Sequence, residues 1–302
     1  MFFTNNMNYD ILKDLRQELL SRGSFDTFPE GVWRTVGALN TYGTNAIEGN
    51  TLTQDEVERV VIERLGVERP INDVLVTIQH ESAFRGLIAR RARAVDLVTI
   101  LELHEETFKG VMPDAGQWRR TRVFIRGASF IPPPPEKVVS SLEALMREYD
   151  RRELASEEAL DLGAWLHHGF ESIHPFSDGN GRVGRLLLNL HLLKHNWPPI
   201  SVMPVDRDKY LEALERANEG DLGHLIEYSK VIMASSLLTF LSMVGTAVDE
   251  LRPLADLESK AGYSVKYLAL RAGQGELPAT RVGKGWRTSE RALDLYVKKV
   301  AR

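Results

Sequence analysis

Apolar residues recur at helical spacing along nearly the whole chain, and only two stretches replace that rhythm with strand-like alternation. A mostly α fold follows. Thr53-Gln54-Asp55-Glu56 reads as a capping box in front of Val57, Val60 and Val61, which fall on one helix face. Further helices are predicted over 72–93, 97–109, 136–152, 157–172, 182–195, 207–218 and 221–248, with Asp96 as the N-cap of the second. The first alternating stretch, Trp118 to Phe130, predicts a short hairpin ended by the proline run Pro132 to Pro135. The second, Ala279 to Trp286, carries Gly283 and Gly285 at its turn.

Composition narrows the chemistry more than the fold. A chain of 302 residues, 43% of them hydrophobic and 26% charged, can bury a real core, so disordered, collagen-like and coiled-coil readings fail. The absence of cysteine excludes disulfides, thiolate zinc sites, iron–sulfur clusters and a cysteine nucleophile. The opening MFFTNNMNYD has neither a basic region nor a long apolar run, and predicts a cytoplasmic rather than a secreted protein. Val231 to Val248 carries no charge over 18 residues, near the lower limit for a membrane span. Ser235, Ser236, Thr239, Ser242 and Thr246 lie within it, so a buried core or homodimer-interface helix, with no membrane, is expected.

The net charge of −4 is unevenly spread. Residues 250–302 hold 11 Lys and Arg against 6 Asp and Glu, a net of +5, which leaves 27 against 36 and a net of −9 before them. That asymmetry points to a separate module with its own partner.

Residues 171–190, ESIHPFSDGNGRVGRLLLNL, concentrate the chemistry. A helix ends near Ser172, and a loop through His174 and Asp178 leads by Gly179-Asn180-Gly181 into the next helix. Small residues let backbone N–H groups approach a phosphate, and the positive end of the following helix faces the same point. Arg182 and Arg185, three apart, are placed to clamp further phosphates, and Asp178 offers a hard oxygen to a magnesium ion. His174 ionises near neutrality and is the candidate base for an incoming hydroxyl.

These residues match the signature of the Fic family, H-P-F-x-D/E-G-N-G-R-x-x-R, at every defined position, and the resemblance spans about residues 35–245. It implies a Fic-type helical bundle with a β-hairpin flap, and a protein adenylyltransferase using ATP with Mg²⁺ or Mn²⁺. In it His174 would be the base, Asp178 the metal ligand, and Gly179, Asn180, Gly181, Arg182 and Arg185 the phosphate-binding residues. Gly116-Gln117-Trp118-Arg119 with Val123, Phe124 and Ile125 resembles the flap that holds a target protein. Tyr210, Leu211 and Asn218 resemble the nucleoside pocket, with Leu211 departing from the aromatic often found there. Gly181, where the phosphorylating Doc branch carries lysine, argues against kinase chemistry. Thr44-Asn45-Ala46-Ile47-Glu48-Gly49 is similar to the inhibitory motif S/T-x-x-x-E-G/N, which implies that Glu48 pairs with Arg185 and restrains activity. Glu48 would also orient water if the enzyme removes AMP.

Residues 251–302 resemble a small excisionase-type winged helix-turn-helix, with Gly262 to Leu268 as candidate recognition helix and Leu277 to Thr288 as wing. Lys266, Arg271, Arg281, Lys284 and Arg287 would contact duplex DNA; a protein-binding or packing role remains the alternative. The expected divisions are 1–95, an N-terminal helical region, 96–249, the catalytic core, and 250–302. A DNA-binding regulator with a nucleotide-sensing or self-modifying core, and transfer of another nucleotide or of phosphocholine, stay open beside adenylyl transfer.

Overall fold

The structure, a computed structural model, describes residues 7–125, 130–283 and 285–300. Its main chain runs through α1 (Tyr9–Ser21), α2 (Glu30–Ile47), α3 (Gln54–Val61), α4 (Ile71–Arg90), α5 (Leu97–Phe108), α6 (Val138–Leu154), α7 (Ala159–Ile173), α8 (Asn180–Lys194), α9 (Arg207–Asn218) and α10 (Gly223–Val244). There follow β1 (Arg252–Pro253), α11 (Glu258–Ala261), α12 (Val265–Gln274), β2 (Thr280–Val282), β3 (Gly285–Thr288) and α13 (Glu290–Val300). Packing divides the chain into two units, one of residues 1–32 with 227–302 and one of residues 33–226. These cuts fall elsewhere than the divisions expected from composition.

In the second unit α8 is the central element. Val183, Leu186, Leu187, Leu190, Leu192 and Leu193 are all buried, so the helix is enclosed on every side. α4, α5 and α7 pack around it, and α6 and α9 pack on α7. Capping follows the sequence: Thr53 and Glu56 form the reciprocal box at α3, and Asp96 Oδ1 accepts the N–H of Thr99 at 2.8 Å. α2 is held by polar groups as well as apolar ones. Thr41 Oγ1 lies 3.0 Å from His80 Nδ1, and Asn45 Nδ2 donates to Thr77 Oγ1 at 3.3 Å. Asn40 Nδ2 donates to the Ile200 carbonyl at 2.8 Å.

In the first unit α1 contributes Leu12, Leu15 and Leu19 to a core with Phe25, Phe28 and Phe240, whose rings meet edge-on or tilted at 5.7–6.2 Å. Gly223–Val244 is long and apolar enough to cross a membrane, yet Met233, Ala234, Leu237, Leu238 and Leu241 are buried in the folded chain, as expected of a core helix. It ends earlier than predicted because Thr246 and Asp249 form a new capping box just beyond it. The predicted turn at Gly283 joins β2 to β3, and β1, not foreseen, completes an antiparallel sheet of order β1-β3-β2.

The hairpin predicted over 118–130 lies partly outside the described residues. Among the described residues this segment forms no strand, and residues 126–129 lie outside them. Its backbone bonds elsewhere: the Arg119 N–H donates to the Pro175 carbonyl at 2.9 Å.

Gly43 sets how closely α2 approaches the chain after α8. A Cβ there would lie 2.5 Å from the Val202 carbonyl oxygen, which is backbone and cannot swing away. Gly43→Ala is therefore expected to lower stability by ~1–3 kcal/mol, the usual cost of overpacking, measured as a fall in denaturant midpoint at unchanged slope.

Candidate active site

α7 stops at His174, which adopts a left-handed conformation with φ 51° and is followed by Pro175. Such a conformation is strained for a residue with a Cβ and persists only where surrounding contacts fix it. Arg119, only 3% exposed, provides them. Its Nε donates to the His174 carbonyl at 2.7 Å, Nη2 to the carbonyls of Ile173 and Pro133, and Nη1 to that of Thr121 at 3.0 Å. One guanidinium thus binds the end of α7, the proline run and its own segment. Its charge also complements the negative end of the helix.

The loop is closed from the other side by Asn180. Its Oδ1 accepts the Phe176 N–H at 2.8 Å and its Nδ2 donates to the Phe176 carbonyl at 3.0 Å. The Phe176 ring stacks on His104 at 3.8 Å between centroids. Gly116 N–H donates to His104 Nδ1 at 2.8 Å, so that nitrogen is an acceptor and Nε2–H must donate to the Asp178 carbonyl at 3.2 Å. Burial pushes the His104 pKa down to about 4, which keeps the ring neutral and this tautomer intact. His104 has no local signal in the sequence, since its partner lies 74 residues away.

Gly179 has φ 81°, and a Cβ on it would lie 2.3 Å from the Phe108 ring, so both conformation and space require glycine. At Gly181 a Cβ would lie 2.2 Å from Glu48 Oε1. The Glu48 carboxylate therefore rests on the first turn of α8, where unsatisfied N–H groups attract an anion. Arg185 Nη2 donates to Glu48 Oε1 at 2.6 Å, Nε to Thr44 Oγ1 at 2.6 Å, and Nη1 to the Tyr210 hydroxyl at 3.4 Å. Burial alone would raise the Glu48 pKa, but the Arg185 charge and hydrogen bond outweigh it and hold the carboxyl below its usual range. Arg182 lies 4.5 Å over the Phe108 ring and 3.7 Å from Asp178, with its side chain 12% exposed.

His174, Glu48, Gly181, Arg185, Leu211 and Asn218 line one cavity of about 270 Å³. The His174 Nδ1 faces the Glu171 carbonyl at 3.3 Å, which leaves Nε2 as the basic nitrogen. Burial lowers its pKa, so the imidazole is neutral and able to accept a proton. Asn218 Nδ2 donates to Glu215 at 3.1 Å, so its Oδ1 accepts from His168 Nε2 at 2.8 Å. Tyr210, named for the nucleoside pocket, also lines this cavity and is turned to Arg185 and His167. Ile125 lines the cavity, Val123 is half-buried, and Phe124 is 77% exposed.

Among the described residues no group of three or more His, Asp or Glu side chains gathers around a metal position. Asp178 stands exposed, with Oδ1 accepting the Gly179 N–H at 2.6 Å. One carboxylate beside an anion-binding loop suits Mg²⁺, which takes most of its oxygens from phosphate and water. The candidate DNA-contacting residues belong to the other unit. Lys266 and Arg281 are exposed, Arg271 pairs with Glu276 at 2.7 Å, and Arg287 donates to the Leu251 carbonyl at 3.4 Å. Lys284 lies outside the described residues.

Residues 94–192 match the Fic/DOC family model. A protein named "Protein adenylyltransferase Fic" from Drosophila melanogaster is 28% identical over 247 residues, covering 80% of this chain and 48% of the relative. The chain thus spans about half the length of the curated relatives it matches. The solved structure of Fic-1 from C. elegans superposes with a TM-score of 0.66 at 26% identity, over 78% of this chain and 72% of that one. A Fic family protein from Desulfovibrio desulfuricans shares the fold, with a TM-score of 0.62 at 21% identity over 94% of this chain and 97% of that one.

Arg119→Ala would orphan several buried carbonyls, each costing roughly 1–3 kcal/mol, and release the strained His174 conformation. Thermal unfolding is expected to show a loss of several °C, with Arg119→Lys intermediate because one ammonium cannot reach all the acceptors.

Proposed function

We propose that this chain, which carries a Fic/DOC family domain, is an autoinhibited protein adenylyltransferase. A Ser, Thr or Tyr hydroxyl of a target protein attacks the α-phosphorus of ATP. A new oxygen–phosphorus bond forms, the bond to the bridging oxygen breaks, and pyrophosphate leaves. The observation that carries this reading is that His174, Gly181 and Arg185 line one cavity, so a base, anion-binding backbone and a phosphate-pairing cation face the same space. His174 takes the hydroxyl proton on Nε2, with Nδ1–H donating to the Glu171 carbonyl. The first turn of α8 and Arg182 stabilise charge on the transferred group, and Arg185 holds the outer phosphates. Asp178 would hold Mg²⁺ or Mn²⁺, which when bound neutralises phosphate charge. Phe124, exposed beside the cavity-lining Ile125, gives the target protein an apolar edge to dock on.

In the resting chain Glu48 lies against Gly181 in the first turn of α8 and pairs with the arginine that the outer phosphates need. ATP then binds in an unproductive pose. Glu48→Gly should raise AMP transfer at least tenfold, followed with α- and γ-labelled ATP and intact mass of the protein. Adding His174→Ala should remove about 10²–10⁴-fold of that rate with ATP affinity largely kept, as loss of a general base does. Adding Arg185→Ala should also lower it. Equal rates with and without Glu48 would refute autoinhibition, and label from the γ position would refute adenylyl transfer. Loss of AMP from purified modified target, compared with and without Glu48, tests the reverse hydrolysis.

A second reading concerns residues 251–302, for which a winged helix-turn-helix is favoured by the order β1, α11, α12 and the β2–β3 hairpin. Lys266 on α12 and Arg281 on β2 are exposed to a duplex, whereas Arg252, Lys260, Arg271, Arg291 and Lys299 are engaged in ion pairs within their own unit. Fluorescence anisotropy with duplex DNA should show binding that weakens steeply with salt and is lost in a Lys266→Ala, Arg281→Ala double variant. Binding absent at low salt makes this module a packing or protein-binding unit.

A further inference from the structure

Arg185 must keep its orientation when Glu48 leaves, and the side chains of the buried Tyr210 and His167 and of the cavity-lining Glu171 have no step in the chemistry above. Arg185 Nη1 lies 3.4 Å from the Tyr210 hydroxyl, and that hydroxyl lies 2.7 Å from His167 Nε2. Arginine only donates, so the Tyr210 oxygen accepts from it. If the hydroxyl donates to His167 Nε2, that nitrogen is an acceptor and the ring proton sits on Nδ1. The His167 ring and Tyr210 ring also stack, at 5.9 Å between centroids.

The far end of this chain has its own seat. His167 Nδ1 and Glu171 Oε1, one turn apart on α7, are both buried without a hydrogen-bond partner. Both lie against Gly184, where a Cβ would come 3.2 Å from Nδ1 and 2.4 Å from Oε1. The missing side chain of Gly184 thus leaves room for both groups, which do not hydrogen-bond each other. Burial, with the Glu48 charge adding and Arg185 opposing, pushes the Glu171 pKa up to about 8, so near neutral pH its carboxyl keeps a proton and its other oxygen remains an acceptor. Burial likewise pushes His167 down to about 3 and keeps it uncharged.

We propose that His167 is a positioning residue for the phosphate-binding arginine: a one-way buried relay, Arg185 to Tyr210 to His167, turns the Tyr210 lone pairs toward the guanidinium and fixes it once Glu48 has gone. The relay deepens the adenylyl-transfer reading and rests on it for its effect on rate, while its direction is a property of the folded chain alone.

Nitrogen NMR of the full chain with ¹⁵N-labelled histidine tests that direction. The resonances of His167, assigned by their loss in His167→Leu, should report a neutral Nδ1–H ring across pH 5–9. An Nε2–H ring would overturn the proposal, because His167 would then donate to Tyr210 and could not orient it. In the Glu48→Gly background, Tyr210→Phe and His167→Leu should each lower kcat/KM for ATP by about tenfold, the worth of one net hydrogen bond, and together by little more than either alone. His167→Gln, whose side-chain carbonyl can take the tyrosine hydrogen, should recover most of the loss. Multiplying losses, or a glutamine variant as poor as leucine, would equally overturn the relay. Should the Glu48→Gly parent itself transfer no AMP, the adenylyl-transfer reading fails and the tautomer still decides the relay; should His167→Leu not fold, Tyr210→Phe and His167→Gln carry the rate comparison.

Discussion

A full positive charge, Arg185, lies at the edge of the core with only 6% of its side chain exposed. Removing a guanidinium from water is costly unless every donor finds a partner. The elements around it supply those partners: Thr44 and Glu48 from α2 and its end, and Tyr210 from α9. Closure of these elements on α8 and satisfaction of this arginine are therefore the same event. Among those partners the Glu48 carboxylate is the charged one, at 2.6 Å from Nη2.

The second constraint is close approach to α8. Gly181 and Gly184 are one turn apart on this helix, and each gives up its side chain to a carboxyl group, Glu48 at one and Glu171 at the other. The two carboxyls differ in protonation because their surroundings differ. Glu48 has the arginine in direct contact and is ionised, while Glu171 is enclosed with one oxygen unpartnered and keeps its proton. Similar side chains on one helix face thus play opposite electrical roles. His174 is held in a left-handed conformation by Arg119, whose Nε donates to its carbonyl.

Much of this was legible in the chain itself. Apolar spacing placed α4 to α9 within a few residues, and Thr53 and Asp96 cap the helices they precede. The loop from His174 to Arg185 stood out because small residues, cations, a carboxylate and a histidine share one short segment, and short segments are read directly. Glu48 was paired with Arg185 through a resemblance, and the two meet at 2.6 Å. Alternation near Val123 could not show that Arg119 N–H bonds to the Pro175 carbonyl, a partner 56 residues away in the chain.

The sequence by itself determined the helices, their caps and the kinds of chemical group in the loop, because these depend on neighbours within a turn or two. Only the tertiary structure decided which of those groups carries a proton, which cation is already occupied, and which glycine exists to seat another residue's side chain. His104, His167 and Glu171 are ordinary residues of amphipathic helices in the sequence, yet folding removes water from them and leaves each a small, fixed set of partners. Desolvation and long-range hydrogen bonding, neither encoded in local spacing, set the electrostatics of the site.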